Sequence, residues 1–273
     1  NCLCDNASFG TIVGGSCNRV CNYSGFIGNG DENVNDGCYA TITNGHKLSS
    51  TGHYSFMGSG DCNSITGDNS SIVGGTTNVA TGSGAFVGGG TSNCACGKES
   101  FVGGGSSNTV SSTCSVIVGG ENSSIDSTPD NSFIGGGKEN CISEGNFTTI
   151  GGGCSHTVSS LGGTIAGGIN NTVRPSSGCG FIGGGKENKV CCSAATIGGG
   201  LYNCISSTKS TIGGGALNCI CTSSIAATIA GGCKVCANGN MTAVGGGYCN
   251  CAAGGCSTVA GGLSGTASGT RSF

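Results

Sequence analysis

Twenty-two cysteines, three histidines and two Lys-Glu-Asn triplets are the residues of this 273-residue chain whose types suit chemistry. Cysteine sulfur forms disulfides, ligates soft metal ions or, as a thiolate, acts as a nucleophile. Cys233-Lys-Val-Cys236 has zinc-like spacing, yet no second CxxC completes it, and further ligands would have to come from elsewhere in the fold. His46, His53 and His156 share no motif with a Cys or Ser nucleophile. The triplets Lys138-Glu139-Asn140 and Lys186-Glu187-Asn188 read as charge pairs in solvated turns. The many glycine triplets are not phosphate loops, because no Gly-Lys-Ser/Thr follows them. No catalytic, cofactor-binding or metal-binding residue is assigned, and a protein without catalysis is expected.

Composition narrows the rest. Fifty-nine glycines would suggest low complexity, but the net charge is only −3 and Ile, Val and Thr are plentiful, unlike a disordered chain. Ten basic residues offer little to nucleic acid or an anionic membrane. No apolar run approaches the roughly 18–20 residues of a membrane span. The chain opens NCLCDNASFG, without an initiator methionine, and is read as an excerpt of a longer protein.

Seventeen copies of one pattern run through it. With the apolar residue before each glycine cluster as position 0, the copies centre on residues 12, 27, 42, 57, 72, 87, 102, 117, 134, 150, 165, 182, 197, 212, 229, 244 and 259, mostly fifteen apart. Position +3 is always Gly, among them Gly15, Gly30, Gly200 and Gly215. Position +6 is Asn in twelve copies, including Asn203 and Asn218, and His156 replaces it in one. Position +8 is Val, Ile or Ala except at Asn35 and Ser50, and position −2 is always small. Position −1 is mainly Thr or Phe.

A period of fifteen fits neither helices, which triple glycine destabilises, nor the longer ankyrin, TPR or leucine-rich units. It fits one coil of an all-β parallel β-solenoid, a single repetitive domain over residues 1–273, with layers about 4.8 Å apart and a rod on the order of 80 Å long. The +3 glycines serve a backbone with positive φ or a close approach between layers. Asn at +6 is expected to adopt the left-handed conformation and to stack its amides along the rod. Positions 0 and +8 supply a thin core. Pro129 and Pro175 fall in coils two residues longer than standard and belong in loops outside the strands, as does the insertion at residues 221–227.

The cysteines join this scheme. Such a density suits an oxidising compartment. In this register Cys4, Cys94, Cys141, Cys204, Cys219, Cys236 and Cys251 lie at +7, and Cys21, Cys96, Cys191 and Cys221 at +9, both flanking the core position. Same-column residues in adjacent layers fall inside the disulfide range of Cα separations, roughly 4.4–6.8 Å. Cys2–Cys17, Cys204–Cys219 and Cys236–Cys251 are candidate staples, with Cys219–Cys236 competing; free thiols and a metal are the other readings. Sequons at Asn22, Asn146 and Asn240 permit glycosylation and specify nothing.

The pattern Ser-Thr-Ile-Gly-Gly-Gly-x-x-Asn-x-Ile, and the closing GGLSGTASGTRSF, resemble the head repeats of YadA-like trimeric adhesins, and more closely the glycine-triplet variant of bacterial and viral surface or tail-fibre proteins. The resemblance covers the whole chain. It implies a left-handed parallel β-roll that trimerises and acts as an adhesive or structural stalk. The expected function is therefore a structural segment of an extracellular, cell-surface or virion-surface fibre, self-associating as a homotrimer or end-to-end filament. The alternatives are a trimeric adhesin or receptor-binding head, with a cell-surface receptor or glycan as partner, and an ice-binding solenoid, whose flat Thr array the Phe residues at −1 would interrupt. In a strand, Phe at −1 and Ile at 0 point oppositely. The phenylalanines are thus outward and covered by other chains, or else folded into a wider core.

Overall fold

A computed structural model describes every residue except Pro175, Ser177 and Ser223, and it is an all-β parallel β-solenoid of about 18 turns with no helix among the described residues. The coils fall into two compact units, residues 1–137 and 138–273. Pro175, expected in a loop, lies outside the described residues; Pro129 lies between the strands Ser124–Ile125 and Phe133–Ile134, as its missing N–H requires.

Each coil carries two short strands. One spans −1 and 0, the other +7 and +8, and each pairs in parallel with its counterpart in the next coil, as in Phe86–Val87 with Phe101–Val102 and Cys204–Ile205 with Cys219–Ile220. A third ladder of single bridges runs through position +4, for example Asp31 to His46 to Asp61. Two paired strands are longer, Cys141–Glu144 and Thr157–Ser159, and the first bulges between Ile142 and Glu144, where the sixteen-residue step places its extra residue.

The core lies where the period placed it. Position 0 is wholly buried from Ile27 to Ile229, and +8 is buried from Val20 to Ala267. Each buried Val, Ile or Met among them contributes about 1.5–3 kcal/mol of burial. The two polar residues at +8 are satisfied internally: Asn35 Nδ2 donates to the Ala40 carbonyl at 2.7 Å, and the hydroxyls of Ser50 and Ser55 meet at 2.5 Å. Position −2 is small because it too faces inward, as with the wholly buried Ala40, Ser70 and Ala195.

The glycines at +3 meet both requirements at once. Gly15, Gly30, Gly200 and Gly215 have φ of +83°, +115°, +97° and +90°, and a Cβ on Gly200 would sit 2.1 Å from the Gly215 carbonyl oxygen. The asparagines correct the expectation. Asn203 and Asn218 are not left-handed; the residues before them are, Tyr202 at φ 58° and Leu217 at φ 57°. A second left-handed position recurs at −3, as in Lys209 and Ala226, both at φ 56°. The asparagines are instead buried. Asn203 Nδ2 donates to the Gly199 carbonyl of its own coil at 2.9 Å and to the Gly215 carbonyl of the next at 3.0 Å. Its Oδ1 accepts the Asn218 N–H at 3.0 Å. Asn218 repeats the pattern onto Gly214 and Gly232. The amide therefore closes the glycine turn and carries hydrogen bonds into the next layer.

Candidate functional site

Because the interior is filled, the residues with chemistry stand on the outer columns. The phenylalanines do so. Phe56, Phe101 and Phe133 are exposed in the first unit and Phe181 in the second, while Phe26 and Phe86 are half-buried. The wider-core alternative is thereby excluded: the inward neighbours at 0 are buried while the rings point out. Four successive coils of the first unit present Phe86, Phe101, Val116 and Phe133 in direct register. The rings of Phe86 and Phe101 stack, with centroids 5.1 Å apart.

A second aromatic file, not anticipated from the sequence, runs along a turn of the first unit. Phe9, Tyr23, Tyr39 and Tyr54 succeed one another at centroid separations of 5.3, 5.4 and 5.1 Å, and all four are exposed. Only the fifteen- or sixteen-residue spacing of Tyr23, Tyr39 and Tyr54 could have signalled it.

Charged turns were better foreseen. Lys138–Glu139 and Lys186–Glu187 are half-exposed ion pairs at 3.9 and 3.7 Å. Asp31, Glu32 and His46 bring three potential ligand atoms within 4.8 Å of one another, a grouping no motif announced because its members come from adjacent coils. Two of its members have charged partners nearby. His46 Nδ1 lies 2.6 Å from Asp61 Oδ1, a hydrogen bond that holds the Asp61 carboxyl below its usual range, and Lys47 Nζ lies 3.8 Å from Glu32. His156 is a buried structural substitute for Asn: its Nδ1 accepts the Asn171 N–H at 3.1 Å, and burial lowers its proton affinity.

The cysteines divide. Disulfides join Cys4 to Cys21 and Cys94 to Cys96, at Cα separations of 4.6 and 5.6 Å. The Cys2–Cys17 staple does not occur. Cys2 is in register with Arg19, so the first coil is seventeen residues long and Cys4 occupies +9, opposite Cys21, rather than +7. Cys17 sits in a left-handed turn at φ 53°, and both it and Cys2 are exposed free thiols. Cys204, Cys219, Cys236 and Cys251 are in direct register through four coils, as expected, but stand as thiols. Cys233, the other half of the CxxC, is a bridge residue at +4 opposite Tyr248.

No family model matches the chain, and no curated protein matches it in sequence. The class of protein defined by fold and surface is a parallel β-solenoid repeat protein, compatible with the β-roll that the YadA-like resemblance implies.

Proposed function

We propose that the chain is a structural segment of an extracellular or virion-surface fibre, self-associating through its outer Phe column, most simply as a homotrimer. The observation that carries this reading is the strip Phe86, Phe101, Val116 and Phe133, four consecutive outward apolar residues in register on a parallel sheet. Contiguous exposed apolar surface of this kind marks an interaction site rather than a solvated face. The same strip on each copy makes a self-complementary contact available under simple rotational symmetry. The layer-to-layer hydrogen bonds of the Asn column also suit a load-bearing element, because each layer repeats the contacts of the last.

The exposed file of Phe9, Tyr23, Tyr39 and Tyr54 favours a second reading, a trimeric adhesin or receptor-binding head that presents aromatic rings to a receptor or glycan. Ice binding is less well supported, because Phe and Val replace Thr through four adjacent coils. Replacing Phe101 and Phe133 together by Lys tests the main reading. The variant should keep its β circular dichroism and lose its assembly, whereas an unchanged mass would rule out the Phe column as the contact.

A further inference from the structure

Three of the chain's five tyrosines stand side by side in the first unit. Tyr39 and Tyr54 hold the same column, three residues before Ile42 and Met57, and both take the left-handed turn at φ 55°. The ladder sets their backbones: the Tyr39 N–H donates to the Tyr23 carbonyl and the Tyr54 N–H to the Cys38 carbonyl, each at 2.9 Å. Equal backbones aim equal side chains, and the two rings lie parallel, 3° apart in plane with centroids 5.1 Å apart. Tyr23 sits one position earlier in its coil, where Ser24 takes the left-handed turn. Its ring is tilted by 64° to that of Tyr39, at 5.4 Å. All three rings are exposed.

We propose that Tyr39 and Tyr54 form an oxidative cross-linking site, joined ring to ring as dityrosine by a one-electron oxidant of the peroxidase type acting with hydrogen peroxide. Each phenol loses one electron and its hydroxyl proton, giving a phenoxyl radical whose unpaired spin is shared with the ring carbons beside the oxygen. The two radicals combine there, and one C–C bond forms between a Cε of Tyr39 and a Cε of Tyr54. Each joined carbon then releases its hydrogen as a proton, a proton returns to each oxygen, and both rings regain aromaticity. The pair has given up two electrons and two protons, and one peroxide takes them to become two waters. The product is a covalent bridge between adjacent coils.

Ring orientation selects the couple. The unpaired spin occupies π orbitals that project from the ring faces, and between Tyr39 and Tyr54 face meets face. Between Tyr23 and Tyr39 an edge meets a face, so the two sets of lobes do not point at each other. Exposed side chains turn between rotamers in picoseconds to nanoseconds, so the rings close their 5.1 Å separation without a change of backbone. Phe9, beside Tyr23, has no hydroxyl to oxidise and ends the file. The tyrosines of the second unit are placed differently. Tyr202 Oη donates to Glu187 at 3.1 Å, Lys234 Nζ lies 5.5 Å over the Tyr248 ring, and three coil steps separate the two.

Trypsin resolves the outcomes, because cleavage after Arg19, Lys47 and Lys98 leaves Tyr23 with Tyr39 on peptide 20–47 and Tyr54 on peptide 48–98. The native protein is treated with peroxidase and hydrogen peroxide in excess over its thiols, then reduced, digested and mapped by mass spectrometry. The expected product is 20–47 joined to 48–98 with the loss of two hydrogens, bearing dityrosine fluorescence and fragmenting at Tyr39 and Tyr54. On a reducing, denaturing gel the oxidised chain should keep its single-chain mass of 26.1 kDa. Tyr39→Phe retains the aromatic ring and should abolish the joined peptide, whereas Tyr23→Phe should leave it. Unchanged β circular dichroism in both variants reports that the fold persists. A link confined to peptide 20–47, dityrosine only between separate chains, dityrosine at Tyr202 or Tyr248 in place of the file, or none at all would overturn the proposal.

Discussion

The side-chain oxygen of Asn203 accepts the backbone N–H of Asn218, 3.0 Å away in the next coil, while the Asn203 amide spans the carbonyls of Gly199 and Gly215. One buried side chain therefore satisfies three backbone groups, the Asn218 N–H among them wholly buried. Asn203→Ala leaves them unpaired and should destabilise the protein by about 1–3 kcal/mol. Urea denaturation checks this, and a midpoint equal to the parent's would show that water or a backbone shift replaces the amide.

The three glycines of a triplet are not equivalent. A Cβ at Gly215 would lie 2.1 Å from the Gly232 carbonyl oxygen in a backbone with φ +90°, whereas a Cβ at Gly214 meets nothing within 4 Å. Gly215→Ala should cost at least about 1–3 kcal/mol, and Gly214→Ala should stay within about 0.5 kcal/mol of the parent. Paired thermal melts decide it; equal losses at both sites would mean that glycine is required by the turn as a whole.

His156 makes stability depend on pH. Burial holds its proton affinity below the ordinary 6.5, and its Nδ1 accepts the Asn171 N–H, so the folded state keeps the ring neutral. As pH falls through the unfolded value near 6.5, the unfolded chain binds a proton the folded chain does not, and stability is lost; above it the contribution is fully present. His156→Asn should remove that part of the acid sensitivity and restore the amide bridge of the column. Denaturation midpoints of both proteins at about pH 7.5 and about pH 5 test it, with an equal fall in the two as the contrary result.

Reading the sequence alone reached the columns but not the turns. Ile197, Ile212, Gly200 and Gly215 recur in phase, so the parallel coil and its core follow from period and polarity. The left-handed residues do not: Tyr202, Leu217 and Lys234 occupy one such position with no common chemistry, because the ladders on either side impose the backbone there. The left-handed conformation expected of Asn203 and Asn218 was off by one residue for that reason, while their amides bond from layer to layer as expected. Cys2 and Cys17 were misplaced because no glycine cluster precedes residue 12 to mark the first coil's length.

The central claim is that the outward phenylalanines are covered by further copies of the chain. Sedimentation equilibrium of the dilute, unreduced protein tests it most directly. A particle of three times the 26.1 kDa chain mass, falling to one chain when Phe101 and Phe133 become Lys, is the predicted result. A stable 26.1 kDa monomer for the parent protein would contradict it and leave the Phe column exposed to water.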